Sequence, residues 1–411
     1  MGIYEELKER GLIYQTTDEE ELKRLLNETN CPVYTGTDPT ADSLHIGHCV
    51  PACIMRKLQK AGHKVIILVG GATAAIGDPT GKTEMRQMLT EEQLNHNIES
   101  IKQAYSKFLD FNGNNPAIMV NNGDWFKNLT YVDFMREIGV HFNVNKMVSN
   151  EIYAKRMEEG GLTFFEMGYM PMQAYDFIHL NNEYGCLIEW GGADQWGNIV
   201  AGTELARKLN FKDKKERNLV GVTNPLLLTP EGKKMGKTEK GAIWIDNNKI
   251  SAYDFYQGIY QIPDACVEMM YAIFTEDNME EVRTIIKEDI IKAKKRLAFE
   301  ITKFIRNEED ALLAQKTSEE VFNKGGVSDT MPSIELSKES ITSSINILDL
   351  LVQTNIAPSK SEARRLVIQN GIKINNEVEA NPNKMLTEEN LTDGYITIQK
   401  GKKTYLKVIF K

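Results

Sequence analysis

From residue 30 to residue 225, short β-branched runs alternate with amphipathic helical runs, and this alternation constrains the fold more than any other feature. Residues 32–36 read as a strand, and residues 47–61 as a helix with Val50, Cys53, Ile54 and Leu58 on one stripe. Val65 to Val69 is an uninterrupted apolar run ending in Gly70-Gly71, as expected of a buried parallel strand. Helix is expected over 91–110, strand over 117–120, strand over 186–190 before Gly191-Gly192, and helix over 194–209. The pattern predicts an α/β fold: a doubly wound, Rossmann-like parallel sheet whose ligands bind beyond the carboxyl ends of the strands. Loops 34–48, 70–82 and 190–196 should therefore converge on one site.

Beyond residue 250 the pattern changes. Residues 251–325 read as helical, with Ser251 and Asp254 forming a capping start and a long basic run over 289–307. Residues 326–343, rich in Gly, Pro, Ser and Thr, read as a linker. Residues 344–411 read as a small α+β module. Ser359 and Glu362 form a capping box there, Gly371 caps the following end, Asn375-Asn376 makes a turn and Lys400-Gly401 a second hairpin.

A chain of 411 residues, 26% charged and 41% hydrophobic, suits two or three domains. No run approaches the ~18 apolar residues of a membrane span, and the acidic start is no signal peptide. Five scattered cysteines do not make a disulfide framework, so a reducing, cytoplasmic setting is expected. The net charge of −9 argues against indiscriminate nucleic-acid binding. It is uneven, however. Residues 341–411 carry ten Lys/Arg against seven Asp/Glu, and this basic ending on an acidic body suggests a specific polyanion contact.

Two clusters carry chemistry. The first runs from Tyr34 through Gly36, Asp38-Pro39-Thr40 and Asp42 to His45-Ile46-Gly47-His48. Two of the chain's six histidines stand here, three apart on one face of a helix start, where free N–H groups and partial positive charge suit phosphate. Gly47, lacking a side chain, lets a flat base approach the backbone. Zinc on His45, His48, Cys49 and Cys53 is disfavoured because the cysteines lie on the apolar half of the helix, so no metal site is expected. The second cluster is Lys233-Lys234-Met235-Gly236-Lys237-Thr238, a lysine loop suited to neutralising a departing pyrophosphate.

Together these clusters resemble the HIGH and KMSKS signatures of class I aminoacyl-tRNA synthetases, with Gly236 and Thr238 replacing serines. The string from Tyr34 to His48, Gly70-Gly71-Ala72-Thr73, Ile76 to Lys82, Tyr175-Asp176-Phe177 and Gly191 to Asn198 resemble the bacterial tyrosyl members of that class. The ending resembles their S-four-type RNA-binding module. The resemblance implies a catalytic domain over 1–250, a helical anticodon-side domain over 251–325 and RNA binding over 344–411.

It also implies residue roles. Tyr34 and Asp176 would hold the phenol hydroxyl of tyrosine, and Asp78, Tyr169 and Gln173 its ammonium. Gln195 would lie near the reacting carboxylate. Gly36, Asp38, Gly47, His48, Gly192 and Asp194 would line ATP, with Asp194 on the ribose. Thr40 and His45 would face the terminal phosphate, and Lys82, Arg86, Lys234 and Lys237 the leaving pyrophosphate. Implied substrates are L-tyrosine, ATP with Mg2+, and tRNA(Tyr), with no tightly bound cofactor. A homodimer is implied as well, and the aromatic-rich stretch 131–165 is compatible with either an interface or internal core. Three alternatives stand beside this: a tryptophanyl-tRNA synthetase, another HIGH-type nucleotidyltransferase, and a non-catalytic RNA-binding homologue. Pro171 either starts the helix carrying Tyr169 and Gln173 or kinks it.

Overall fold

The computed structural model describes residues 2–79, 90–214, 216–232, 235, 237–238, 241–324, 333–392, 394–401 and 404–411. The chain divides into two units, one of Met1–Ile250 with Gln261–Leu297, the other of Ser251–Tyr260 with Ala298–Lys411.

The apolar runs of the first unit form one six-stranded sheet: β1 (Gln15–Thr16), β2 (Val33–Thr37), β3 (Val65–Val69), β4 (Ile118–Asn121), β5 (Ile188–Gly192) and β6 (Val220–Asn224). The spatial order is β1-β6-β5-β2-β3-β4, parallel throughout except that β1 runs antiparallel to β6. Every residue of β3 is buried, which accounts for its lack of polar alternation. The strand order reverses where β2 lies between β3 and β5, and there the connecting loops part and leave a crevice.

Four helices position the site. α1 (Cys49–Lys60) buries Val50, Cys53, Ile54 and Leu58, the expected stripe, and tolerates Pro51 because the first turn has no partner for that N–H. α2 (Glu91–Tyr105) starts on a reciprocal capping box of Thr90 and Gln93. α3 (Tyr169–Tyr184) has Pro171 as its third residue, in the first turn, so the proline sits at the start of the helix rather than within it. Gly185 ends α3 in the left-handed region, at φ 65°. α4 (Trp196–Asp213) follows β5 and packs beside α3.

In the second unit, α5 (Ala252–Tyr260) packs on α6 (Glu308–Lys324). Ser251 accepts the Asp254 N–H, as the capping pattern requires. The ending is a five-stranded sheet of β7 (Ser333–Leu336), β8 (Ile372–Ile374), β9 (Glu377–Val378), β10 (Tyr395–Lys400) and β11 (Thr404–Phe410), ordered β9-β8-β10-β11-β7. Its core includes Ile341, Leu350, Leu351, Val367, Ile396, Ile398 and Val408.

Three places depart from what the sequence pattern predicts. Residues 333–342, expected within a linker, form β7 and a short helix, because Ile334 and Leu336 alternate onto the core while β7 runs parallel to β11. The helix Lys360–Ile368 ends with Asn370, not Gly371, in the left-handed region, at φ 56°. Ser359 caps that helix, but Glu362 turns to Arg365 instead of completing the box. Asn375-Asn376 makes the expected turn, both residues at positive φ. Among the described residues no helix is long and apolar enough to cross a membrane.

Candidate active site

The carboxyl ends of β2 and β5, the first turns of α1 and α3, and the segment after β6 enclose a cavity of about 740 Å³. Tyr34, Gly36, Asp38, Thr40, His45, Gly47, His48, Asp78, Tyr169, Gln173, Asp176, Gly192, Asp194 and Gln195 all line it. Lys82, Arg86 and Lys234 lie outside the described residues, and Lys237 is described only as backbone, in a short pair with Gly241–Ala242.

The closed end is built by β2, β5 and α3. Tyr34 is 1% exposed and packs its ring on Phe177, 5.3 Å between centroids. Its hydroxyl has no hydrogen-bond partner of regular geometry among the described residues. Burial, then the nearby Glu189 and Asp176, push its pKa well above the usual phenol value, so it stays protonated. Asp176 is also 1% exposed, and its two oxygens accept from Trp125 Nε1 at 2.9 Å and Asn122 Nδ2 at 3.1 Å. Burial raises its pKa well above the carboxylate range, and those two donors work against the rise.

Further out, two pairs of groups hold each other. Tyr169 donates its hydroxyl to Asp38 Oδ2 at 2.9 Å, while Thr73 donates to Asp38 Oδ1 at 2.8 Å. Gln195 donates its amide to Asp78 Oδ2 at 2.6 Å and accepts from Asn198 at 3.1 Å. Asp38, expected on the nucleotide side, is thus bonded to Tyr169, expected on the amino-acid side, which places the two groups of residues wall to wall.

At the mouth, His45 and His48 stack with rings 3.7 Å apart, and His45 Nδ1 accepts the Gly47 N–H at 3.1 Å. A Cβ on Gly47 would stand 2.9 Å from the Met235 carbonyl oxygen, so only glycine lets that backbone approach. The chain following the lysine loop is tied to the same motif: Ile46 N–H bonds Ile243 O at 2.9 Å and Ile245 N–H bonds Leu44 O at 3.0 Å. Lys249 pairs with Asp42 at 2.8 Å and lies over the Trp244 ring. Cys49 and Cys53 are buried on α1, the latter with its thiol pushed up to about 12 by burial.

Sequence reasoning missed Glu189, Asn122 and Trp125. Glu189 stands in register with Tyr34 across β2 and β5, lines the cavity and accepts from Gln173. Only the strand register, read together with the oddity of a glutamate inside an apolar strand, would have marked it.

A parallel sheet, a stacked histidine pair at a helix start and a polar cavity at the carboxyl ends of the strands are the features of a doubly wound nucleotide-binding fold. Residues 26–323 match the family of class I tRNA synthetases (W and Y), and the chain belongs to that family. Residues 324–408 match the tyrosine–tRNA ligase SYY-like C-terminal domain. The chain is 48% identical over 410 residues to the tyrosine–tRNA ligase of Acetivibrio thermocellus, covering 99% of each. It is 48% identical over 413 residues to that of Clostridium kluyveri, covering all of both. Among solved structures it is similar to a C-terminally truncated mitochondrial tyrosyl-tRNA synthetase of Aspergillus nidulans. There the TM-score is 0.69 and the identity 27%, over 78% of this chain and 94% of that one. A tryptophanyl-tRNA synthetase of Encephalitozoon cuniculi shares the fold at TM-score 0.54 and 16% identity, over 76% of this chain and 87% of that one.

Proposed function

We infer that the chain is an enzyme that activates L-tyrosine with ATP and transfers it to the 3′ end of tRNA(Tyr). The observation that supports the amino-acid choice is the closed end of the cavity. The Tyr34 hydroxyl, beside Glu189, and the Asp176 carboxyl, bonded to Trp125 and Asn122, line that end together, and a phenol hydroxyl can bond both. An indole N–H can donate to a carboxyl but, unlike a phenol oxygen, cannot accept from a hydroxyl.

In the first step a tyrosine carboxylate oxygen attacks the α-phosphorus of the MgATP substrate. The bond to the β-phosphate bridge breaks, giving tyrosyl-adenylate and pyrophosphate. In the second, a terminal ribose hydroxyl of the tRNA attacks the tyrosyl carbonyl and AMP leaves. No side chain serves as nucleophile, so positioning and charge stabilisation carry the rate. Asp78, Tyr169 and Gln173 take the ammonium, and Gln195 lies beside the carboxylate. Asp38, Gly36, Gly47, Gly192 and Asp194 take the nucleoside. His48 lines the nucleotide with Gly47, Thr40 and His45 face the terminal phosphate, and Lys82, Arg86, Lys234 and Lys237 follow the pyrophosphate out. The ending, residues 344–411, grips tRNA, consistent with its excess of Lys and Arg.

Pyrophosphate exchange with each of the twenty amino acids, without tRNA, tests the reading. Exchange with tyrosine alone is expected, and Asp176→Asn should narrow the preference over phenylalanine. Exchange with tryptophan would overturn the Tyr34 and Asp176 roles, and exchange with none would overturn the activity. Rejection of phenylalanine by tyrosyl-tRNA synthetases is the well-known example of this effect: a site built to bond a hydroxyl is left with unpaired buried groups when the analogue lacks it.

A further inference from the structure

Glu189 has no part in the reaction just described, yet it is a carboxylic acid 3% exposed in the wall of the amino-acid pocket. Burying such a group costs several kcal/mol unless something compensates, so its retention calls for a reason. Its surroundings are built for it. In the parallel register of β2 and β5 it is the direct partner of Tyr34, so both side chains leave the sheet on the face that α3 covers. Its Oε1 accepts the Gln173 amide N–H at 2.9 Å. Its Oε2 is buried without a partner of regular geometry among the described residues, as are the Tyr34 hydroxyl and the Gln173 Oε1. On α4, a Cβ at Gly202 would fall 3.3 Å from Glu189 Oε2, so a glycine leaves the carboxyl its room.

The direction of the Gln173 amide follows from this. A side-chain amide presents either a donor or an acceptor to the cavity, and the two choices differ in sign toward a cation. Glu189 Oε1 accepts from that amide whether the carboxyl is ionised or carries its proton on Oε2, so it holds the NH2 end toward itself. We propose that Glu189 is a positioning residue for the amino-acid site: it holds the Gln173 amide so that Oε1 accepts from the substrate ammonium. The proposal rests on Gln173 being an ammonium ligand. An amide left to turn would present its NH2 instead, and two donors would face each other.

The experiment uses the full chain and three variants, each checked for folding by its thermal melt. Glu189→Met keeps the volume but removes the acceptor, and Glu189→Gln keeps an acceptor oxygen. For Glu189→Met, the Kd of tyrosine without ATP should rise about tenfold or more, from loss of a hydrogen bond to a charged group. Its KM for ATP and its kcat at saturating tyrosine should stay within about threefold, because the affected contact serves ground state and transition state alike. Glu189→Gln, which keeps an acceptor but can also turn a donor to Gln173, should bind tyrosine more tightly than Glu189→Met and less tightly than wild type. 3-(4-Hydroxyphenyl)propionate, which has the phenol but no ammonium, should bind wild type and Glu189→Met equally well. Equal loss of tyrosine and this compound would mean a collapsed pocket and would overturn the proposal, as would unchanged tyrosine binding. Gln173→Ala separates the two layers. If it leaves tyrosine binding intact, the ammonium reading fails and takes the proposal with it. If it weakens binding while Glu189→Met does not, the proposal alone fails.

Discussion

Single residues in this pocket trade stability for recognition. Burial lifts the Glu189 carboxyl from its ordinary 4.5 to about 7, with Gln173 and Tyr34 opposing the rise. A raised acid favours the folded state while protonated. Its contribution is fully present below the unfolded value and is lost as pH rises through about 7. Glu189→Gln cannot ionise. The variant should therefore gain on the wild type between pH 4.5 and about 7, by up to about 3 kcal/mol, and hold that gain above. Urea midpoints measured across this range check it, and a constant difference would mean the carboxyl does not titrate there. His45, His48, Asp176 and Asp194 could be singled out in the sequence because they sit in strings that resemble those of a known family, and all four line the cavity. Asn122 and Trp125 could not. They reach Asp176 across 54 and 51 residues of chain, a distance that no local pattern encodes.

At the scale of elements, the histidine turn is held from two sides. Met235, bonded through its N–H to Leu227 O at 2.7 Å, lies against Gly47, and 243–245 pairs with 44–46. Gly47→Ala should push Met235 away and slow adenylate formation about 10- to 100-fold, as a displacement near 1 Å does, with tyrosine affinity unchanged. Single-turnover kinetics beside equilibrium binding would separate the two, and equal losses in both would place the damage elsewhere. The far end of α1 is anchored independently, where Arg56, Lys57 and Lys60 gather on Glu276 and hold its carboxyl down at about 2. Strands and helices were predictable to within about two or three residues at most ends because burial period decides them. The exceptions come from partners far away in the chain. Ser333–Leu336 carries only two inward residues and becomes a strand because β11 offers an edge.

For the whole molecule, every described residue assigned to adenylate formation belongs to the first unit. A chain ending at residue 324 should keep tyrosine-dependent pyrophosphate exchange within about twofold while tRNA charging falls about tenfold or more, since basic contacts to the phosphate backbone carry much of such affinity. Loss of exchange would show that the module supports the cavity. Tyr131, Val132, Val140, Val144 and Phe164 are all more than half exposed, apolar side chains left to water. We propose that a second copy of the chain covers them; Val140→Glu with Phe164→Glu should then shift the sedimenting species from dimer to monomer, and an unchanged profile would overturn the proposal. The strand order has a further consequence for the nascent chain. β2 lies between β3, which follows it at once, and β5, which is synthesised some 150 residues later. Until residue 188 emerges from the ribosome, one side of β2 is an open row of amide and carbonyl groups. The future substrate cradle is therefore, for about ten seconds at ordinary elongation rates, a strand edge open to other chains.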